Sequence, residues 1–194
     1  MDAMPVIRPM RNALLEPARQ TEVYGEHKVV VLGGGPAGIA AAVAAARAGR
    51  ATLLVERYGF LGGMGTAAGV TNFYGLHANV HDEIRQVVHG EADDLLLRID
   101  RLGGLNAPHA LFGKTVAQAY DTAAYKITAD DLLLSAGVKL LFHALAVGTL
   151  IESPGRIKAL LIETRFGRRA VLARAFIDCS GDGNLCRKAG SNGA

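Results

Sequence analysis

The sequence predicts an α/β domain of three layers, in which a parallel sheet is flanked by helices and an antiparallel β-meander crosses over it. Three observations predict it. Short β-branched runs alternate with helix-forming stretches in the first half of the chain. A glycine knot at residues 33–38 joins the first such strand to the first such helix. Three apolar runs, separated by Pro154-Gly155 and Phe166-Gly167, fill the last third. Composition agrees. Of 194 residues, 50% are hydrophobic and 20% charged, enough apolar surface to bury a core and exclude intrinsic disorder. A net charge of +3 with scattered Lys and Arg gives no footprint for nucleic acid. Cys179 and Cys186 are too few for a disulfide scaffold and lack metal-ligand spacing, so a reducing cytoplasm and no metal are expected.

Residues 1–27, with three prolines, read as an irregular arm; the domain proper is expected over 28–194. His27 to Leu32 is a β-branched run, the mark of a strand buried on both faces. Pro36 to Gly49 is a helix that opens on proline and stops at glycine. Thr52 to Glu56 is a second strand, and strand, helix, strand in this order implies a right-handed parallel unit. Val29 to Ala46 carries no charge, but its glycines and proline break it into strand, turn and helix, so no membrane span is expected. Tyr58 to Gly75 reads as an ordered glycine-rich loop. His81 to Arg101 and Thr115 to Ala136 read as helices, so about 76–129 is expected to be a mainly helical insertion. Val138 to Phe142 is a third strand; Ala146 to Glu152, Ile157 to Thr164 and Arg169 to Ile177 form the meander.

Chemistry concentrates in the first knot. Gly33-Gly34-Gly35-Pro36-Ala37-Gly38 is a G-x-G-x-x-G between a strand and a helix. Gly33 permits the tight turn, Gly35 lets backbone approach a pyrophosphate, and Gly38 lets helix and strand pack closely. The helix N-terminus offers N–H groups and a positive dipole to phosphates. Glu56 ends the second strand about twenty residues on, where a carboxylate can accept from ribose hydroxyls. An acid there fits NAD or FAD and disfavours NADP.

Three separated motifs, in order, carry a family resemblance. VVVLGGGPAGIAAAVAAARAG (residues 29–49), the E-R-x-x-x-x-G-G segment from Glu56 to Thr66, and FIDCSGDGNL (176–185) resemble FAD-dependent oxidoreductases with a glutathione-reductase type of FAD domain, distantly akin to fumarate reductase flavoproteins. The resemblance implies a Rossmann-like FAD/NAD(P)-binding fold, FAD as cofactor, and flavin-mediated hydride or electron transfer. It implies that Gly33, Gly34, Gly35, Pro36, Ala37 and Gly38 hold the pyrophosphate, Glu56 the adenosine ribose, and Arg57 the adenine side. Gly62, Gly63, Met64 and Thr66 would line the path to the flavin. Ala146 would offer backbone to the adenine, and Gly181 and Asp182 would lie near the phosphates or ribityl chain. Asn184 stands where the family pattern has an acid.

Such enzymes continue through a substrate domain and a final flavin-binding strand and helix, which 194 residues do not hold. A truncated, non-catalytic dinucleotide-binding fragment is therefore one alternative, paired with a missing C-terminal half or with a second copy; an NAD-binding dehydrogenase domain is the other. Substrate, electron acceptor and catalytic acid or base are not named by any motif. His77 and His81 are the histidines best placed in sequence for acid–base work, though they lack the H-E-x-x-H pattern of a metal site. Gly113-Lys114-Thr115 lacks the first glycine of a P-loop, and the Asp178 loop has Ala189 where a calcium loop needs Glu. Cys179 reads as a small buried residue.

Overall fold

Val30 and Val31 are neighbours in the chain and belong to two different cores. Strand pleating sends alternate side chains to opposite faces, and here both faces are covered. A computed structural model of the chain describes residues 18–112 and 114–188. Gly113 and Ala189, each part of a rejected motif above, lie outside the described residues, as do residues 1–17 of the arm. The arm is not irregular up to residue 27, because strand β1 runs from Glu22 to Leu32.

The elements that follow are α1 (Pro36–Arg47), β2 (Thr52–Val55), a 3₁₀ turn at Gly63–Gly65, β3 (Asn72–Tyr74), β4 (His77–Val80), β5 (Glu83–Gln86) and α2 (Glu91–Arg101). Then come β6 (His109–Ala110), β7 (Val116–Ala119), α3 (Thr122–Ser135), β8 (Lys139–Leu141), β9 (Leu145–Ser153), β10 (Arg156–Thr164), β11 (Gly167–Asp178) and α4 (Asn184–Lys188). Six strands make one sheet in the order β8-β2-β1-β11-β10-β9. Four of these are mutually parallel (β8, β2, β1 and β11), and β9, β10 and β11 form the antiparallel meander.

One face of the parallel part buries Val31 and Leu54 against Ile39, Ala42 and Val43 of α1 and Leu132 and Leu133 of α3. The other face buries Val30, Leu32, Leu53 and Val55 against Leu160, Ile162 and Val171 of the meander. Burying Leu53 or Leu54 fully is worth roughly 1.5 to 3 kcal/mol each. Helices, sheet and meander are the three layers expected from the sequence.

The segment between β2 and α3 departs from expectation. Residues 77–86 form a β-hairpin rather than helix, because His81 and Asp82 both take positive φ, 52° and 64°, the pair of left-handed residues that a type I′ turn needs. Helix α2 then starts only at Glu91. Residues 116–119 are strand, in the small sheet β3-β7-β6, and α3 begins where the Asp121 carboxylate accepts the Ala124 amide at 2.8 Å. Segment 76–129 is thus a mixture of short antiparallel strands and helix, not mainly helical. Ile127 of α3 is exposed, whereas Tyr125, Thr128 and Ala129 are buried. No helix among the described residues is long and apolar enough to cross a membrane.

Phe73, Tyr120 and Tyr125 pack as an aromatic cluster, with Tyr120 edge-on to Tyr125 at 5.2 Å between centroids. The two tyrosine hydroxyls differ. Tyr120 reaches the Val70 carbonyl at 2.5 Å and the Gly65 carbonyl at 3.0 Å, its single proton serving one at a time. The Tyr125 hydroxyl is buried with no partner among the described residues. Tyr120→Phe should therefore cost about 1 kcal/mol, whereas Tyr125→Phe should raise stability by a similar amount. Urea unfolding of both variants checks this; a loss on Tyr125→Phe would mean that its hydroxyl is bonded in solution.

Candidate functional site

At the carboxyl end of β1 the backbone turns at Gly33, whose φ is +102°. A Cβ at Gly33 would lie 2.3 Å from the Cys179 carbonyl oxygen, and one at Gly38 would lie 1.8 Å from the Gly33 carbonyl oxygen. The start of α1 therefore rests directly on the ends of β1 and β11, with no side chain between. Gly35 is different. Its φ of −73° is open to any residue, and a Cβ there would meet only the Gly63 Cα, at 3.9 Å. Gly63 in turn, at φ +50°, comes within 2.8 Å of the Gly35 Cα if given a Cβ. Two glycine loops thus face each other backbone to backbone.

Between them opens a cleft of about 710 Å³. Its walls are the α1 N-terminus (Gly33, Gly35, Pro36, Ala37), the end of β2 (Glu56, Arg57, Tyr58), the second glycine loop (Gly63, Met64), Ala146 on β9, and the loop from Ser180 to Asn184. Pro36 at the first helical position gives up no useful donor, and the following amides lack intrahelical acceptors. They and the helix dipole make this end of the cleft an anion site, with no acidic residue in the first turn to oppose it.

Glu56 is buried at 6% exposure, and its carboxylate accepts the Gly34 amide at 2.6 Å and the Tyr58 amide at 2.8 Å. A carboxylate has about four acceptor sites, so two remain for another donor. Arg57 is committed sideways: its guanidinium lies 4.8 Å from the Tyr58 ring, Tyr58 stacks on Phe60, and Lys126 caps Phe60 at 3.9 Å.

Four expected residues stand behind the cleft wall. Gly38 packs as described, Gly34 donates to Glu56, and the Gly62 amide donates to the Gly34 carbonyl at 2.8 Å. The Thr66 hydroxyl donates to the Leu61 carbonyl at 2.6 Å. On the far wall, Gly181 and Asp182 are exposed at the mouth.

Sequence reasoning missed what holds that wall. The Asp178 carboxylate accepts the Ser180 hydroxyl at 2.7 Å and the amides of Ser180, Leu185 and Cys186, while the Ser180 hydroxyl accepts the Asn184 amide. Burial pushes the Asp178 carboxyl up, but these bonds more than offset it and hold the group below the usual carboxylate range. The D-x-S-G signal was there, at a helix start. Cys179 is half-buried rather than buried and lines the cleft beside Gly38; burial, with the charge of Asp178, pushes its thiol up. His77 and His81 do not line the cleft; they lie at the start and the turn of the β4–β5 hairpin, and His77 borders a separate hollow.

A family model described as FAD dependent oxidoreductase matches residues 28–192. Solved structures similar in fold include THI4 of Thermovibrio ammonificans, 18% identical with a TM-score of 0.55 over 85% of this chain and 63% of that one. A flavocytochrome c3 fumarate reductase in its open conformation is 16% identical, with a TM-score of 0.56 over 80% of this chain and 34% of that one. The 3-ketosteroid-Δ4-(5α)-dehydrogenase of Rhodococcus jostii RHA1 is 17% identical, with a TM-score of 0.55 over 81% and 46%. The chain spans less than two thirds of the length of each. No curated protein matches it in sequence.

Glu56→Ala should cost roughly 3 kcal/mol of stability without any ligand, since two amides lose charged acceptors worth about 1.5 to 3 kcal/mol each. Denaturant unfolding measures it. Asp178, its pKa depressed by folding, contributes stability that is present above its ordinary value of 3.8 and is lost as pH falls through the folded value. Asp178→Asn should therefore flatten the acid limb of a stability–pH curve.

Proposed function

The chain belongs to the FAD-dependent oxidoreductase family, and from that premise we propose that the cleft between its two glycine loops holds FAD, with the pyrophosphate at the N-terminus of α1. One observation carries the reading: Gly35 faces the cleft with only Gly63 within 4 Å of where a side chain would begin. A glycine that no protein neighbour requires, in a conformation any residue could adopt, is explained by something that must come close to its backbone.

In this reading the Ala37 amide takes a phosphate oxygen, and the helix dipole favours its charge. The two unused acceptor sites of Glu56 take ribose hydroxyls, while its other two keep the Gly34 and Tyr58 amides in place. Ala146 and its neighbours in β9 offer backbone to the adenine, and Arg57, its guanidinium over the Tyr58 ring, covers that end. Met64, exposed in the cleft, and the Gly181–Asp182 turn line the way toward the flavin. The bound cofactor supplies hydride and electron transfer; these residues bind it, orient it and keep its phosphates from water. The protein as a whole is then an oxidoreductase acting on a small molecule, in a cytoplasm whose reducing character suits a chain of two cysteines.

Purified protein should be yellow and release FAD on denaturation. Gly35→Val should keep the fold, because its Cβ has room, and lose FAD by at least about tenfold in affinity, or roughly 1.4 kcal/mol. Flavin fluorescence titration with circular dichroism checks both halves. A folded Gly35→Val variant that still copurifies with flavin would remove this cleft from the reading.

A further inference from the structure

Phe60 and Lys126 do not line the cleft, yet a row of ring contacts joins both of them to it. The row starts on α3, where half-buried Lys126 follows the fully buried Tyr125 and so has a fixed root. Its Nζ stands 3.9 Å from the centroid of the Phe60 ring. Phe60 stacks on Tyr58, with centroids 5.8 Å apart and planes 12° from parallel. The Arg57 guanidinium lies over Tyr58, 4.8 Å from its ring centre. Arg57 and Tyr58 both border the cleft.

The main chain beneath this row is pinned. The Glu56 carboxylate accepts the Tyr58 amide at 2.8 Å, and the Tyr58 carbonyl accepts the His143 amide at 3.1 Å. A Cβ at Gly59 would lie 2.6 Å from His143 Nε2. The freedom that is left belongs to the side chains. Arg57 and Tyr58 are exposed, and an exposed arginine loses much rotamer freedom when a ligand orders it. Neither Arg57 nor Lys126 has a carboxylate partner among the described residues, so no ion pair draws either aside. Ring contacts are what order them.

We propose, resting on the FAD reading of the cleft, that Lys126 is a positioning residue for the cofactor. Through Phe60 and Tyr58 it holds Arg57 at the adenosine end of the cleft, and so favours a flavin that carries adenosine over one that does not. The mechanism is preorganisation. Arg57 is ordered in the free protein, so more of its contact with the cofactor appears as affinity. A neutral residue at 126 loses the attraction to the Phe60 face, which releases Phe60 and then Tyr58. Only ligands that reach Arg57 feel the change, and FMN, which ends at its one phosphate, has no adenosine to reach it.

The test uses the full chain, with FAD and FMN as probes in fluorescence titrations. Lys126→Gln should weaken FAD about threefold and leave FMN unchanged. Lys126→Arg, which keeps a cation over the ring, should restore the parent affinity. In an Arg57→Ala background, Lys126→Gln should have no further effect on FAD, because the residue it acts through is gone. In the free protein, the Arg57 Nε–H resonance, displaced by the Tyr58 ring, should move toward that of a solvated arginine in Lys126→Gln. An undiminished loss in the Arg57→Ala background, equal losses for FAD and FMN, or an unmoved Arg57 resonance overturns the positioning role and leaves Lys126 as packing. Gly35→Val, titrated in parallel, separates the two failures: flavin retained there removes the FAD reading and this role with it, whereas flavin lost there with no effect of Lys126→Gln overturns this role alone.

Discussion

The fold depends on one contact that has no side chain in it, the first turn of α1 resting on the carbonyl of Gly33. A methyl group at Gly38 would lie 1.8 Å from that oxygen, and one at Gly33 would meet the Cys179 carbonyl at 2.3 Å. Three chain segments therefore meet backbone to backbone, at the ends of β1 and β11 and the start of α1. Larger residues would lift the helix off the sheet. The layer of Ile39, Ala42 and Val43 would then lose its contact with Val31 and Leu54. The same contact aims the helix N-terminus along the carboxyl edge of the sheet, where open α/β sheets place their ligands.

From that edge a second chain of backbone contacts builds the cleft. Glu56 holds the amides of Gly34 and Tyr58, and the Gly34 carbonyl holds the Gly62 amide. The first glycine knot, the end of β2 and the second glycine loop are thereby one hydrogen-bonded unit. An acid at this position serves the fold whether or not a ribose is present. Its structural and its proposed binding roles use different lone pairs of one carboxylate, so loss of either role carries a trace of the other.

The insertion is fastened to this unit rather than appended. Tyr120 bonds back to the carbonyls of Gly65 and Val70, and its ring packs on Phe73 and Tyr125. A Cβ at Gly65 would strike the Tyr125 ring at 2.4 Å, so the second glycine loop can lie flat on the aromatic cluster only because it is glycine. Arg47 at the end of α1 pairs with Glu91 and Asp94 of α2. These pairs are exposed and add little free energy, but they set the register of α2 on the domain.

The amino-acid sequence by itself determined the parallel core and the first half of the cleft. The β-branched runs, the small-residue helix and the spacing of the glycines at 33, 35 and 38 between strand and helix are local patterns, legible without the partners they meet in the fold. Glu56 was legible for the same reason: it ends a strand at a fixed distance from the turn. The hairpin at 77–86 was hidden, because its turn uses His81 and Asp82 in place of the Asn-Gly pair that announces such turns. The start of α3 at Asp121 was masked by apolar residues that strand β7 and the helix share. Tertiary structure alone decided that neither His77 nor His81 reaches the cleft, how Asp178 closes the far wall, and that Gln118 is buried with an unpaired oxygen. Those outcomes depend on groups far apart in sequence, and long-range contact carries no local signature in the chain.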